Sequence, residues 1–458
     1  METPDACAIA SEVRSGRASA RSVVEAALAR IAADRTNAVV TVCAADARAD
    51  ADRVDAALAR GDDPGPLGGV PFTVKDTLAT AGLRATAGSL VLADHVPRTD
   101  ADVVARLRAA DAVLVGKTNC PEFALQARTD NRIFGPTRHP RDPGRSPGGS
   151  SGGCAAAVAG ELVPFSIGGD YGGSIRYPAA CTGIFGLRPT YLAVPVRGHV
   201  PEPAPGSPRA RFQTIGPLAR TLRDIALVFD VLRGATDPGS TSAAAPGTRR
   251  RVGIVRGGWT TVAAVAGALD AAARAFADAG DDVVDVDPGP FGAAADVFDA
   301  WRATDDYADL RALVAGRESE LTPHIARLLA TAPVPADVRG RFAEVTGVVG
   351  ELLATTPVLV LPVSRVGVVP LTATSTEIAG TTETIDVRQV LRPSRAVSLL
   401  GLPALAIPAG ADADGMPVGV QLVGPPGSEH ELIAAARAVR VSVPAFGDAP
   451  RRPVDDDR

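Results

Sequence analysis

Two glycine–serine clusters constrain this chain more than any other feature. They are Gly148-Gly149-Ser150-Ser151-Gly152-Gly153 and Gly168-Gly169-Asp170-Tyr171-Gly172-Gly173-Ser174-Ile175-Arg176. Between them lies an apolar segment that reads as a buried helix (Ala155 to Gly160) followed by a strand (Leu162 to Ile167). The same rhythm of helix and strand runs through much of the chain. Residues 19–33 carry Val23, Val24, Ala27, Leu28 and Ile31 on one helical stripe, with Ser19 or the Ser22-x-x-Glu25 pair as the starting cap. A second helix is predicted over 44–60, a loop over 61–69, a strand over 70–75, then helix 100–110 and strand 111–116. Such βα alternation, broken by an insertion, predicts a mostly parallel or mixed sheet with helices on both faces, an α/β fold.

Glycine and proline mark the interruptions. Residues 135–153, 200–208 and 236–248 read as loops, the last of them leading into the strand Val252-Gly253-Ile254-Val255 and an alanine-rich helix. The organisation expected is a helical segment over 1–60, one large domain over 61–440 and a frayed tail over 443–458. With 46% apolar residues among 458, the chain can bury an extensive core.

A net charge of −5, with basic residues dispersed, argues against a general nucleic-acid binder, and 4% aromatics leave few stacking platforms. The acidic start Met1-Glu2-Thr3-Pro4-Asp5 lacks a secretory apolar region, and no run reaches the length of a membrane helix. Cys7, Cys43, Cys120, Cys154 and Cys181 are odd in number and scattered, which fits a reducing cytoplasm. His95, His139, His199, His324 and His430 form no metal-binding spacing, so neither metal nor organic cofactor is expected.

Taken by itself, the first cluster is consistent with a linker, a turn or a phosphate cradle. It lacks the Lys-Ser/Thr ending of a P-loop, and neither cluster matches the dinucleotide fingerprint. The second says more. Consecutive glycines directly before a serine let backbone N–H groups converge on one point, as an oxyanion hole requires. No histidine base lies in either cluster. Lysine can replace it if its pKa falls from roughly 10.4 towards roughly 7–8. Of 47 basic residues only Lys75 and Lys117 are lysines. Lys117, in Val115-Gly116-Lys117-Thr118-Asn119, reads as a packed stem with a bonded head in a strand-to-helix turn. Lys75 ends the apolar run Val70-Pro71-Phe72-Thr73-Val74, a setting that lowers a lysine pKa, and is the better base.

These residues resemble the amidase signature hydrolases. The resemblance rests on Gly69 to Asp76 (GVPFTVKD), Gly116 to Asn119, Glu122-Phe123-Ala124, Ser146 to Gly153, Gly172 to Pro178 (GGSIRYP) and Gly183 to Thr190 (GIFGLRPT). Gly401-Leu402-Pro403-Ala404 and Pro417 to Leu422 (PVGVQL) close the pattern. It spans about 22–440, strongest over 65–225 and weakest over 235–390. The resemblance implies the amidase signature fold, a Ser–Ser–Lys triad and an amidase acting on a small carboxamide or N-acyl amine. Ser174 would be the nucleophile and Ser150 the bridge to a neutral Lys75, with a cis peptide between Gly149 and Ser150. Backbone N–H groups of Tyr171, Gly172, Gly173 and Ser174 would hold the oxyanion, supported by Ser151, Asp170 and Arg176. It also allows a homodimer.

The chain departs from the family pattern at several positions. Gly169 stands where threonine is usual, and Tyr171 where a small or branched residue is common. Leu361 to Arg365 (LPVSR) replaces a Thr-Pro-Thr-type segment, and Ser398 an asparagine. One alternative is the glutamine-hydrolysing A subunit of a tRNA-dependent amidotransferase. Its C-terminal signature is missing, and Leu391 stands near the position of an aspartate that would hold the substrate amino group, so glutamine is not the expected substrate. An esterase or acyltransferase using the same acyl-enzyme is another alternative. Substrate choice is expected to reside in loops near 120–135, 171–185 and 300–390.

Overall fold

Short apolar runs separated by turn residues become strands whose two faces are both covered. In the computed structural model, which describes residues 3–239, 249–378, 380–384 and 387–438, the strands are β1 Val39–Val42, β2 Pro71–Lys75, β3 Val113–Thr118, β4 Phe165–Asp170, β5 Phe185–Arg188 and β6 Thr214–Ala219. They continue as β7 Arg251–Val255, β8 Asp282–Val286, β9 Val358–Pro362, β10 Ser375–Ile378, β11 Thr381–Thr384, β12 Ala404–Ala411 and β13 Pro417–Val423. Eleven of them form one sheet in the order β1-β3-β2-β4-β6-β5-β12-β13-β9-β7-β8, while β10 and β11 make a separate ribbon. The sheet is mixed: β2 runs parallel to β3 and β4, and β7 to β8 and β9, while the pairs from β4–β6 to β13–β9 are antiparallel. Every residue of β2, β3, β4, β6, β9 and β13 is buried, as a strand between two helical layers requires. The outermost strands β1 and β8 are only partly covered.

The helix Ala20–Ala33 starts at Ser19, whose hydroxyl accepts from Ser22 N, so the earlier of the two candidate caps is used. The helix Ala44–Ala59 follows, and between them β1 pairs with β3, a strand that four residues of weak alternation do not reveal. Two expected boundaries move. The strand after the first cluster runs Phe165–Asp170 and takes in Gly168 and Gly169. A Cβ at Gly168 would lie 2.8 Å from Ser151 Oγ and one at Gly169 2.6 Å from Gln213 Nε2, so these glycines permit close approach inside a strand. Lys117 likewise lies within β3 rather than in a turn, and Gly116 before it admits Thr41 O, 2.5 Å from where a Cβ would sit. Most of the 236–248 loop and the tail after 443 lie outside the described residues.

Candidate active site

Strand register brings the two glycine clusters together. Val74 of β2 pairs with Ile167 of β4, so Lys75 at the end of β2 lies beside the strand end that leads into Tyr171 to Ser174. The helix Gly152–Ala159 packs on β2 and β4 and carries Ser150 and Ser151 at its start. Ser151 N donates to Ser174 O at 3.1 Å, which ties one serine turn to the other. The Gly149–Ser150 peptide is cis, and Lys75 Nζ is 2.6 Å from Ser150 Oγ. Lys75 and Ser150 are each 1% exposed and Ser174 8%, so the serine nearest solvent is the one expected to meet substrate. All three line a cavity of about 50 Å³.

Burial lowers the Lys75 pKa from its ordinary 10.5, since an ammonium in a dry wall loses its hydration. Lys117 is held differently. Burial depresses it to about 8, and its Nζ bonds to Leu78 O and to Thr80 Oγ1 at 3.3 Å, pinning the turn that follows Lys75.

Asp170 organises the nucleophile turn. Its carboxylate accepts from Gly173 N at 2.7 Å, Ile175 N at 3.0 Å and Arg176 Nη2 at 2.9 Å, and Arg188 Nη1 approaches at 3.4 Å. Burial alone would raise the Asp170 pKa, but the two guanidinium groups outweigh it and hold the carboxyl well below its usual range. Arg176 also reaches Gln421 Oε1 at 2.7 Å and Ser398 Oγ at 2.8 Å, so the C-terminal motif converges on the same centre. The serine standing in place of asparagine therefore still accepts from Arg176. Ser151 Oγ donates to Gly169 O at 3.2 Å. Because Gly173 N is committed to Asp170, the amides of Tyr171, Gly172 and Ser174 are the candidate oxyanion donors.

The cavity wall holds residues that sequence reasoning missed. Val200, Pro201 and Pro203 come from the 200–208 segment read as a loop, with His199 directly before it and Arg209 and Gln213 just beyond. Loop composition carries no signal that a segment folds back over a site. Phe123 and Leu125, from the expected 120–135 region, form part of the wall. Tyr171 packs against Phe298 and Phe212, with ring centroids 5.4 and 5.8 Å away, and its buried hydroxyl has no protein partner among the described residues. Leu391 is buried, with Cδ1 3.5 Å from where a Cβ on Gly173 would lie. Among the described residues no cluster of His, Cys, Asp and Glu is arranged as a metal site.

A covered mixed sheet with Lys75 and the Ser174 turn at the ends of adjacent central strands, and the Ser150 turn at the start of the helix packed on them, defines the amidase signature fold. The chain belongs to the Amidase family, whose model matches residues 22–433. Over 237 residues it is 42% identical to the A subunit of the glutamyl-tRNA(Gln) amidotransferase from Carboxydothermus hydrogenoformans, covering 51% of this chain and 48% of that protein. The chain thus matches about half the length of its curated relatives. A solved structure described as a vestigial protein complex that reveals the evolutionary origins of an s-triazine catabolic enzyme is 30% identical. It covers 96% of this chain and 100% of its own, with a TM-score of 0.85. A bacterial aryl acylamidase is 28% identical over 95% of each chain, with a TM-score of 0.84.

Proposed function

We propose that this chain is an amidase that hydrolyses a small-molecule carboxylic amide through an acyl-enzyme on Ser174. The observation that carries this reading is the buried 2.6 Å contact between Lys75 Nζ and Ser150 Oγ in the wall of the cavity that Ser174 lines. With Lys75 neutral, Nζ accepts the Ser150 proton while Ser150 Oγ accepts that of Ser174. The Ser174 oxygen bonds to the amide carbon, and the amides of Tyr171, Gly172 and Ser174 stabilise the resulting oxyanion. Collapse breaks the C–N bond as the proton returns through Ser150 to the leaving nitrogen. Water then repeats the sequence and frees the acid. Asp170, Ser151 and Arg176 position the turn, and no step calls for a metal or organic cofactor.

A second reading, the glutamine-hydrolysing component of an amidotransferase, draws on the identity with the tRNA-linked enzyme. Leu391 argues against it, because an apolar side chain beside Gly173 offers nothing to an ammonium group. Five unpaired cysteines fit the cytoplasm, and no described helix is long and apolar enough to cross a membrane. The test is product mass spectrometry on a panel of amides and esters that includes glutamine, run beside Ser174→Ala. Turnover of non-glutamine amides lost in the variant supports the reading. Ammonia from glutamine alone, or an active variant, overturns it.

A further inference from the structure

His199 stands where a substrate amide must be oriented. The turn after Lys75 holds it: Leu78 N donates to Lys75 O at 2.9 Å, Leu78 forms a β-bridge with His199, and Val200 N donates to Thr77 O at 2.8 Å. Its ring lies over Gly169, with Cε1 3.4 Å from where a Cβ would be built there. Most polar side chains of the cavity wall are already engaged. Lys75 bonds Ser150 at 2.6 Å, Arg209 pairs with Asp305 at 3.2 Å and also with Asp309, and Gln213 Nε2 donates to Thr214 O at 3.3 Å. The buried Nε2 of His199 has no protein partner among the described residues. The Tyr171 hydroxyl also has none there, but the Tyr171 ring is packed into the aromatic cluster of Phe212 and Phe298. His199 is instead held against the turn that directly follows Lys75. His199 therefore belongs to the leaving-group end of the cavity.

A buried polar atom without a partner is costly, which makes it a ready partner for a ligand. We propose that His199 Nε2 accepts the N–H of the scissile amide, so that the site selects amides bearing an N–H over esters and over N,N-disubstituted amides. Holding that N–H towards His199 turns the nitrogen lone pair, formed as the carbon becomes tetrahedral, towards the Ser150 hydroxyl that protonates it. Burial is the main cause that pushes the His199 pKa down to about 3, and Lys75 pushes the same way whenever it is protonated, so the ring is neutral at working pH and one nitrogen can accept. The role assigned is that of a positioning residue: no proton moves through His199.

The inference rests on the roles proposed for Lys75, Ser150 and Ser174, and the experiment separates the two. The rates compared are those on p-nitroacetanilide, its N-methyl derivative and p-nitrophenyl acetate, for the native chain and for His199→Leu, His199→Asn and Ser174→Ala. In His199→Leu the anilide-to-ester ratio of kcat/KM should fall by about 10-fold or more, the scale of an unmade buried hydrogen bond. Discrimination against the N-methyl anilide should fall with it, and His199→Asn, which keeps an acceptor, should recover part of both. The alkaline rise in rate should keep its position. An unchanged ratio, whether both rates fall together or neither does, overturns the proposal, as does a displaced pH limb. If His199→Leu does not fold, the same ratios are read from His199→Asn, whose anilide-to-ester ratio must then fall below the native value. Turnover surviving in Ser174→Ala would instead overturn the proposed function.

Discussion

Replacing Asp170 by Asn should uncouple the nucleophile turn from the core while leaving its shape almost unchanged. Asp170, Arg176 and Arg188 are each 0% exposed, so one carboxylate balances two guanidinium groups with no help from water. The substitution removes that negative charge and leaves two buried cations facing an amide. Its NH2 must face one of two donor pairs: Gly173 N at 2.7 Å with Arg176 Nη2 at 2.9 Å on one carboxylate oxygen, or Ile175 N with Arg176 Nε, both at 3.0 Å, on the other. Breaking a buried ion pair by removing one partner costs about 3–5 kcal/mol, and an unpaired buried donor adds about 1–3 kcal/mol. Urea unfolding should show a loss of at least about 4 kcal/mol, the two lower ends taken together. Turnover should fall by about 10²-fold, because a displacement of about 1 Å at the reacting atom is worth that much. The pH dependence has a definite sign. The folded Asp170 pKa lies below its unfolded value near 3.8, so its stabilisation is complete above that value and is lost as pH falls beneath it. The stability gap between native chain and variant should therefore narrow in acid. Adding Arg176→Met should restore part of the stability without restoring turnover. An Asp170→Asn protein within about 1 kcal/mol of native stability and with unchanged kcat would refute the reasoning.

Lys75→Arg should abolish turnover, since arginine stays protonated, whereas native kcat/KM should rise with pH through a Lys75 pKa that burial sets below 10.5; a bell centred in acid would contradict this. Gly173→Ala should cost about 1–3 kcal/mol from backbone conformation alone, because φ is +119° and the new Cβ would meet Ser394 Cβ at 2.8 Å; thermal unfolding and kcat both read it. Tyr171→Phe removes a buried hydroxyl that has no protein partner among the described residues, so its melting temperature should rise, by about 1 kcal/mol of stability, and a fall would mean the hydroxyl is bonded. Lys117→Met should lose about 1–3 kcal/mol in urea unfolding by freeing Leu78 O and Thr80 Oγ1 in the turn after Lys75.

Two kinds of information were legible in the chain. The βα rhythm and the buried apolar runs at 70–75 and 162–167 follow from local chemistry, as do the paired glycines before Ser174, and together they define an α/β protein with a backbone-lined turn. The scarcity of lysine singled out Lys75 and Lys117, and the apolar run before Lys75 chose between them. Contacts between distant residues belong to the tertiary structure. Periodicity does not show that Val74 pairs with Ile167, yet that register sets Lys75 beside the nucleophile turn. Ser398 and Gln421 look like departures or bystanders until Arg176, more than two hundred residues earlier, is found donating to both. Gly168 and Gly169 read as lying beyond the strand Leu162 to Ile167, but they are strand residues kept small by Ser151 and Gln213. His199 stands directly before a proline-rich loop and belongs to no motif, and the bridge to Leu78 with the Val200 N to Thr77 O bond carries it to the Lys75 end of the cavity. Local pattern fixes what a segment becomes, because dihedral preference and burial act within a few residues. Which segments meet is decided by packing the whole sheet, and the wall facing the substrate is made of such meetings.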